Sequence, residues 1–195
     1  GGDIPLACAG IITKVNMIFM SFVIGISQGI QPIIGFNYGA AKYTRVRKTY
    51  LLALATATAL SFVAFGCFQL FPRQIIRVFG KGSELYFQFS ERYFRIYMFL
   101  TLINGIQPVT SNFFNSIGKS SLGVFMSLTR QILFLLPLII VFPIFMGIDG
   151  VMYAGPIADA ATGIVCGIFT IRELKELKTL SYTSENAMAA SGSAN

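Results

Sequence analysis

The sequence predicts an all-α polytopic bundle with five membrane-spanning helices, and three observations predict it. Five long apolar stretches, 6–34, 51–71, 86–114, 122–146 and 151–171, fill nearly everything before Arg172. Each approaches or exceeds the ~20 mostly apolar residues that an α-helix needs to cross a ~30 Å hydrocarbon layer. Hydrophobic residues make up 54% of the chain and charged ones 12%, with a mean hydropathy of +0.69, whereas an average soluble domain has ~25% charged residues. A water-soluble core built from 195 residues cannot hide five such runs.

The first stretch is long. As one helix, 6–38 would run ~50 Å, well over the hydrocarbon thickness, so it must tilt, bend or overhang. Pro32 offers the bend, and Lys14 near the outer end can snorkel. The glycine pairs Gly25/Gly29, Gly35/Gly39 and Gly163/Gly167 have the small-xxx-small spacing that lets helices approach closely in lipid. Between the second and third stretches, 72–79 pairs apolar residues at Ile75/Ile76 and Val78/Phe79 with Arg73 and Arg77 one turn apart. That pattern predicts a short amphipathic helix in the outer interface, ended by Gly80 and Gly82, which braces the bundle. The fourth and fifth stretches are joined by a tight loop at 147–150 and must be antiparallel neighbours. Residues 1–178 form the bundle in this reading; 179–195, rich in Ser, Ala and Asn without an apolar period, read as a disordered cytoplasmic tail. The start at Gly1-Gly2-Asp3, without Met or a cleavable signal, reads as a loop between helices and the chain as a fragment lacking an N-terminal portion.

Composition also excludes function classes. Without His, the commonest metal ligand and the usual acid–base group near neutral pH are missing. Cys8, Cys67 and Cys166 lie in or beside apolar runs without metal-ligand spacing, and read as small apolar residues. No Ser/His/Asp set, phosphate-cradling loop or carboxylate pair occurs, so no catalytic residue, metal site or cofactor is expected.

The net charge of +7 belongs to topology and not to nucleic-acid binding. One side of the membrane receives Lys42, Arg45, Arg47, Lys48, Lys119, Arg172, Lys175 and Lys178; the other receives Arg73, Arg77 and Lys81. The Lys/Arg-rich side is cytoplasmic, which puts the C-terminus inside a plasma (inner) membrane.

Ionisable residues deep in a span are functional candidates because burying them is costly. Arg130 and Asp159 each lie about nine residues into adjacent spans from opposite faces, a depth of ~13 Å and a height difference of only ~4 Å. Facing helices bring them within salt-bridge reach, as a structural pair or with a proton-linked or substrate-linked role for Asp159. A paired Asp159 keeps its charge and makes a poor proton carrier. Gln28, Gln31, Asn37, Asn104, Gln107, Asn112 and Asn115 form a neutral polar set on spans one and three. Either they line an aqueous pathway, with Phe22, Phe36, Phe113 and Phe114 as aromatic surface for an organic cation, or they hydrogen-bond helices together.

An internal echo sharpens this. Gly29-Ile30-Gln31-Pro32 recurs as Gly105-Ile106-Gln107-Pro108, each followed by Asn and aromatics and then by Gly39 and Lys42 or Gly118 and Lys119. Proline frees a carbonyl one turn earlier, so Pro32 and Pro108 are hinge candidates in a shared helix-hairpin unit.

These residues resemble a family. GISQGIQPIIGFNYGA at 25–40 with Lys42 and its basic loop, SLTRQ at 127–131 with Pro137, GIDG at 147–150 and PIAD at 156–159 are similar to the multidrug and toxic compound extrusion (MATE) transporters, most of all the MepA-like branch. The resemblance implies twelve helices in two six-helix lobes, this chain matching helices eight to twelve of the second lobe. It implies entry of Na⁺ or H⁺ in exchange for lipophilic cationic compounds leaving, as the two lobes rock about a central cavity. The partners implied are such cations, the lipid bilayer and the missing N-terminal lobe. No cation ligand carries over, because 86–114, the helix-ten candidate, holds no acid beyond Glu91 near its outer end. Two other functions compete: a lipid-linked oligosaccharide flippase, for which several cavity cations are expected where only Arg130 qualifies, and a non-transporting assembly module.

Overall fold

Proline and glycine set the element boundaries along the bundle. The structure, a computed structural model, describes residues 3–80 and 84–192. Its order is α1 Asp3–Gly29, α2 Gln31–Gly39, α3 Tyr43–Leu70, α4 Pro72–Phe79, α5 Glu84–Tyr97, a 3₁₀ turn Met98–Leu100, α6 Thr101–Asn104, α7 Ile106–Ser116, α8 Ser120–Leu128, a π-helical segment Thr129–Leu135, α9 Leu136–Met146 and α10 Ile148–Gly192. Gly1, Gly2, Lys81 and Gly82, to which the sequence assigned roles, lie outside the described residues.

Among the described residues, four helices are long and apolar enough to cross a membrane: Leu6–Gly39, Tyr43–Leu70, Ser120–Met146 and Asp149–Ser184. These four fall on the first, second, fourth and fifth predicted spans. The third predicted span is a rod assembled from α5, the 3₁₀ turn, α6 and α7. Its N-terminal part carries Glu84, Gln88, Glu91, Arg92 and Arg95, and Gly105 with Pro108 interrupts its C-terminal part, so neither hydropathy nor helical continuity reaches the standard of the others. The solvent is nevertheless legible from the surface. Only 6% of the most apolar window of Ser120–Met146 is buried, and Ile132, Leu133, Ile140 and Phe145 stand exposed along it. Contiguous apolar surface of this kind is at rest in hydrocarbon and unfavourable in water.

α10 continues to Gly192, over the described part of 179–195; residues 193–195 lie outside the described residues. A helix already nucleated extends at low cost, and the run Ala187–Ala190 has high helical propensity.

α7 is the hub, packing against α1, α2, α3, α8 and α10. Its Thr110 and Phe113 meet Tyr50 of α3: the rings stack at 4.1 Å between centroids. The Tyr50 hydroxyl lies 3.0 Å from Thr110 Oγ1 and 2.9 Å from Thr170 Oγ1 of α10. Three helices are thus pinned by one buried hydroxyl with both partners satisfied. Nearer the other end Phe68 packs edge-on to Phe94 and Phe19. α4 lies where the amphipathic pattern put it, with Ile76 buried and Gly80 capping it. Arg73 ties it to α5 through Glu84 at 2.6 Å and Glu91 at 3.5 Å. Of the glycine pairs, a Cβ added at Gly35 would lie 3.5 Å from Ser116 O and one at Gly163 would meet Ile103, whereas one at Gly25, Gly29, Gly39 or Gly167 would have no neighbour within 4 Å. The pairs do not act as close contacts within this bundle, because those four glycines lie on open faces.

Candidate functional site

The charged centre of the bundle is built around a helix defect. Pro137 has no N–H and its ring crowds the carbonyl four residues back. The helix accommodates this by widening: over Thr129–Leu135 it is π-helical, and Leu136 N–H donates to Gln131 O, a five-residue step. Arg130 sits in this widened turn. Its Nε donates to Asp159 Oδ1 of α10 at 2.6 Å, the Asp159 side chain being 2% exposed and that of Arg130 20%. Asn104, buried at the end of α6, lies beside the carboxylate, and Tyr97 lies close to both charges. One ion pair thus joins the π segment, α10 and the segmented rod. An isolated charge at this depth is costly, and a hydrogen-bonded pair compensates for much of that cost.

The neutral polar set divides. Gln31 Nε2 donates to Asn112 Oδ1 at 2.6 Å, and Asn112 Nδ2 donates to Ser27 Oγ at 2.8 Å. This chain stitches α1 and α2 to α7. Gln107 Nε2 reaches Met126 O of α8 at 3.5 Å. Asn37 Nδ2 is spent on Ile33 O of its own helix, and Gln28 and Asn115 are exposed. Phe113, read as pathway surface, is fully buried beneath Tyr50 and presents no surface to a pathway; Phe114 is buried likewise, while Phe22 and Phe36 are exposed. Pro32 and Pro108 each stand just past a break, at Ile30 and at Gly105, where the helical run restarts as α2 and α7.

Two contacts escaped sequence reasoning. Tyr93 donates its hydroxyl to Asp149, linking α5 to the start of α10. Lys119 Nζ bonds Glu173 at 2.8 Å and Glu176 at 3.2 Å, clasping the α7–α8 turn to α10. Burial alone lowers the Lys119 pKa, but the two carboxylates outweigh it and hold the pKa above the ordinary 10.5. The signal available was the spacing of Glu173 and Glu176, one helical turn apart and facing one way.

Helices of membrane length, a buried ion pair at a helix defect and rods broken at repeated prolines define a helical integral-membrane protein of the transporter type. The chain belongs to the MATE family: the MatE family model matches residues 2–141, and the family consists of transporters. Among solved structures it is similar to the MATE multidrug transporter DinF-BH in complex with rhodamine 6G, at 36% identity and TM-score 0.78, over 84% of this chain and 36% of that one. It also matches the outward-facing form of a multidrug resistance MATE transporter (18% identity, TM-score 0.83, covering 92% of this chain and 40% of that one). The inward-facing form matches at 16% identity and TM-score 0.76, over 86% and 39%. No curated protein matches the chain. The chain spans about two fifths or less of the solved structures it matches.

Proposed function

We propose that this chain supplies most of one lobe, helices eight to twelve, of an H⁺- or Na⁺-coupled antiporter that exports lipophilic organic cations by alternating access. The carrying observation is the 36% identity to a MATE multidrug transporter across 84% of the chain, that relative having been solved with rhodamine 6G. Its likeness in fold to both outward- and inward-facing structures supports a lobe that keeps its own packing while moving against a partner. The internal bonds explain how. Tyr50 with its two threonines, the Gln31–Asn112–Ser27 chain and the Arg130–Asp159 pair tie the rods crosswise, which favours rigid-body rocking over deformation. Gln31, Asn37, Asn104, Gln107, Asn112 and Asp159 are the polar residues nearest the pathway in this reading, and Pro32 and Pro108 its hinges. Arg130–Asp159 serves as a structural pair in this reading, and no residue of this chain is assigned to the coupling ion. The basic end faces the cytoplasm of the inner membrane, C-terminus inside.

Proteoliposomes holding the chain with its partner lobe, loaded with rhodamine 6G and given an inward H⁺ or Na⁺ gradient, test this. Dye movement driven by one gradient and abolished by its ionophore names the coupling ion. Dye release at the same rate with no gradient overturns ion coupling.

A further inference from the structure

The basic end of the bundle holds a cavity that the transport reading does not use. It measures about 410 Å³ and lies between the first turns of α3 and the last part of α10, with Arg47, Lys48 and Lys178 on its walls and Leu51 and Leu177 on its apolar side. Among the described residues no acidic side chain lines it. A second cavity, about 340 Å³, shares Tyr43, Thr44 and Ser181 with it and adds Lys42 and Arg45. Thr44 Oγ1 and Ser181 Oγ, 3.4 Å apart, bridge the two walls. Among the described residues none of these five cations has an ion-pair partner, in contrast to Lys119 and Arg73 at the ends of other helices.

Their placement is unfavourable as it stands. α3 starts at Tyr43 with no side-chain cap and no acid in its first turn, so Lys42, Arg45, Arg47 and Lys48 crowd the positive end of a 28-residue helix. Positive charge there opposes the helix dipole and each cation repels the next. An anion among them adds an attraction to each cation and to the positive helix end, which offsets these repulsions. The apolar side decides what kind of anion. Leu51, at the cavity, and Leu52 beside it are exposed, Leu52 at 69%, and begin the lipid-facing stripe of the span Tyr43–Leu70. A ligand with a phosphate in the cavity and hydrocarbon along α3 satisfies both halves.

We propose that this cavity binds the phosphate of an anionic phospholipid headgroup, with Arg47, Lys48 and Lys178 as its ligands and the acyl chains descending along Leu51 and Leu52. Basic pockets between helices at a membrane surface recognise headgroups in this manner, at a gain for each cation near the surface. Native mass spectrometry of the detergent-solubilised chain tests it, with phosphatidylglycerol and phosphatidylcholine offered in equal amounts. Retention of phosphatidylglycerol over phosphatidylcholine is expected, falling on the order of a hundredfold in R47Q/K48Q/K178Q and unchanged in K175Q, a control for overall charge at the same end. Circular dichroism of the triple variant checks that its helices remain. Equal retention of the two lipids, or loss in K175Q as large as in the triple variant, overturns the site. Displacement of the lipid by inorganic phosphate at matched concentration overturns the lipid as its occupant.

Discussion

The hairpins turning at Lys42 and Lys119 have one backbone and two environments. In the first, Ala40, Ala41 and Lys42 donate to Phe36, Tyr38 and Asn37; in the second, Ile117, Gly118 and Lys119 donate to Phe113, Asn115 and Phe114. The steps are the same, four, three and five residues back. Each turn places one residue in the left-handed region, Ala41 at φ 55° and Gly118 at φ 81°, and each lysine then starts the next helix. What differs is everything outside the turn. Lys42 is unpaired among the described residues, while Lys119 holds two glutamates. Gly29 faces open space, while Gly105 packs on Ser61 and Ala57. Eleven residues beyond its lysine the first hairpin has buried Ala53 and the second has Arg130. Local sequence therefore fixes how the chain turns, and burial fixes what a substitution there costs.

The largest expected effect erases that last difference. R130A makes the second arm resemble the first and leaves Asp159 buried without its cation, which costs about 3–5 kcal/mol. It shows as lost expression and a lowered melting midpoint in detergent; the swap R130D/D159R regains much of the loss, and a swap as poor as either single variant contradicts a simple pair. Next come the glycines. A Cβ on Gly105 lies 2.9 Å from Ser61 Oγ and 3.4 Å from Ala57 O, so G105A costs about 1–3 kcal/mol by overpacking, whereas G29A stays within about 0.5 kcal/mol of wild type. Equal midpoints for the two variants break the comparison.

The turn residues give opposite signs. A41G relieves a left-handed alanine and stabilises by about 1 kcal/mol, and G118A imposes the same conformation on alanine and costs a similar amount. Thermal midpoints of the two variants check this, and a shift in the same direction for both refutes it. The smallest effect is in alkali. Because the folded Lys119 pKa lies above 10.5, the clasp contributes fully below pH 10.5 and is lost as pH rises through the folded value. With Lys119 partly exposed, about 0.5–1 kcal/mol is at stake. K119M removes that alkaline drop in midpoint and K42M leaves it in place.

Much of this was legible before any coordinates. Lengths of apolar runs give the rods, the repeated Gly-Ile-Gln-Pro gives the breaks, and equal depth gives the meeting of Arg130 with Asp159. The rest depended on direction rather than spacing. Phe113 looks like any aromatic in a span until Tyr50 covers it. Gly25 and Gly29 have the spacing of a packing motif, yet their face meets no helix of this bundle. The segmented third rod hides because five charged or amide side chains in α5 and a break at Gly105 act together, whereas each alone is tolerable in a span. The helical tail depends on α10 already being nucleated, which composition within 179–195 does not reveal.

The most direct test of the account is ethidium fluorescence in energised cells expressing this chain together with the partner lobe proposed for it. The account predicts that fluorescence decays faster than in vector controls and that the decay stops when the ion gradient is collapsed. Decay at the vector rate, with both lobes verified in the membrane, contradicts it.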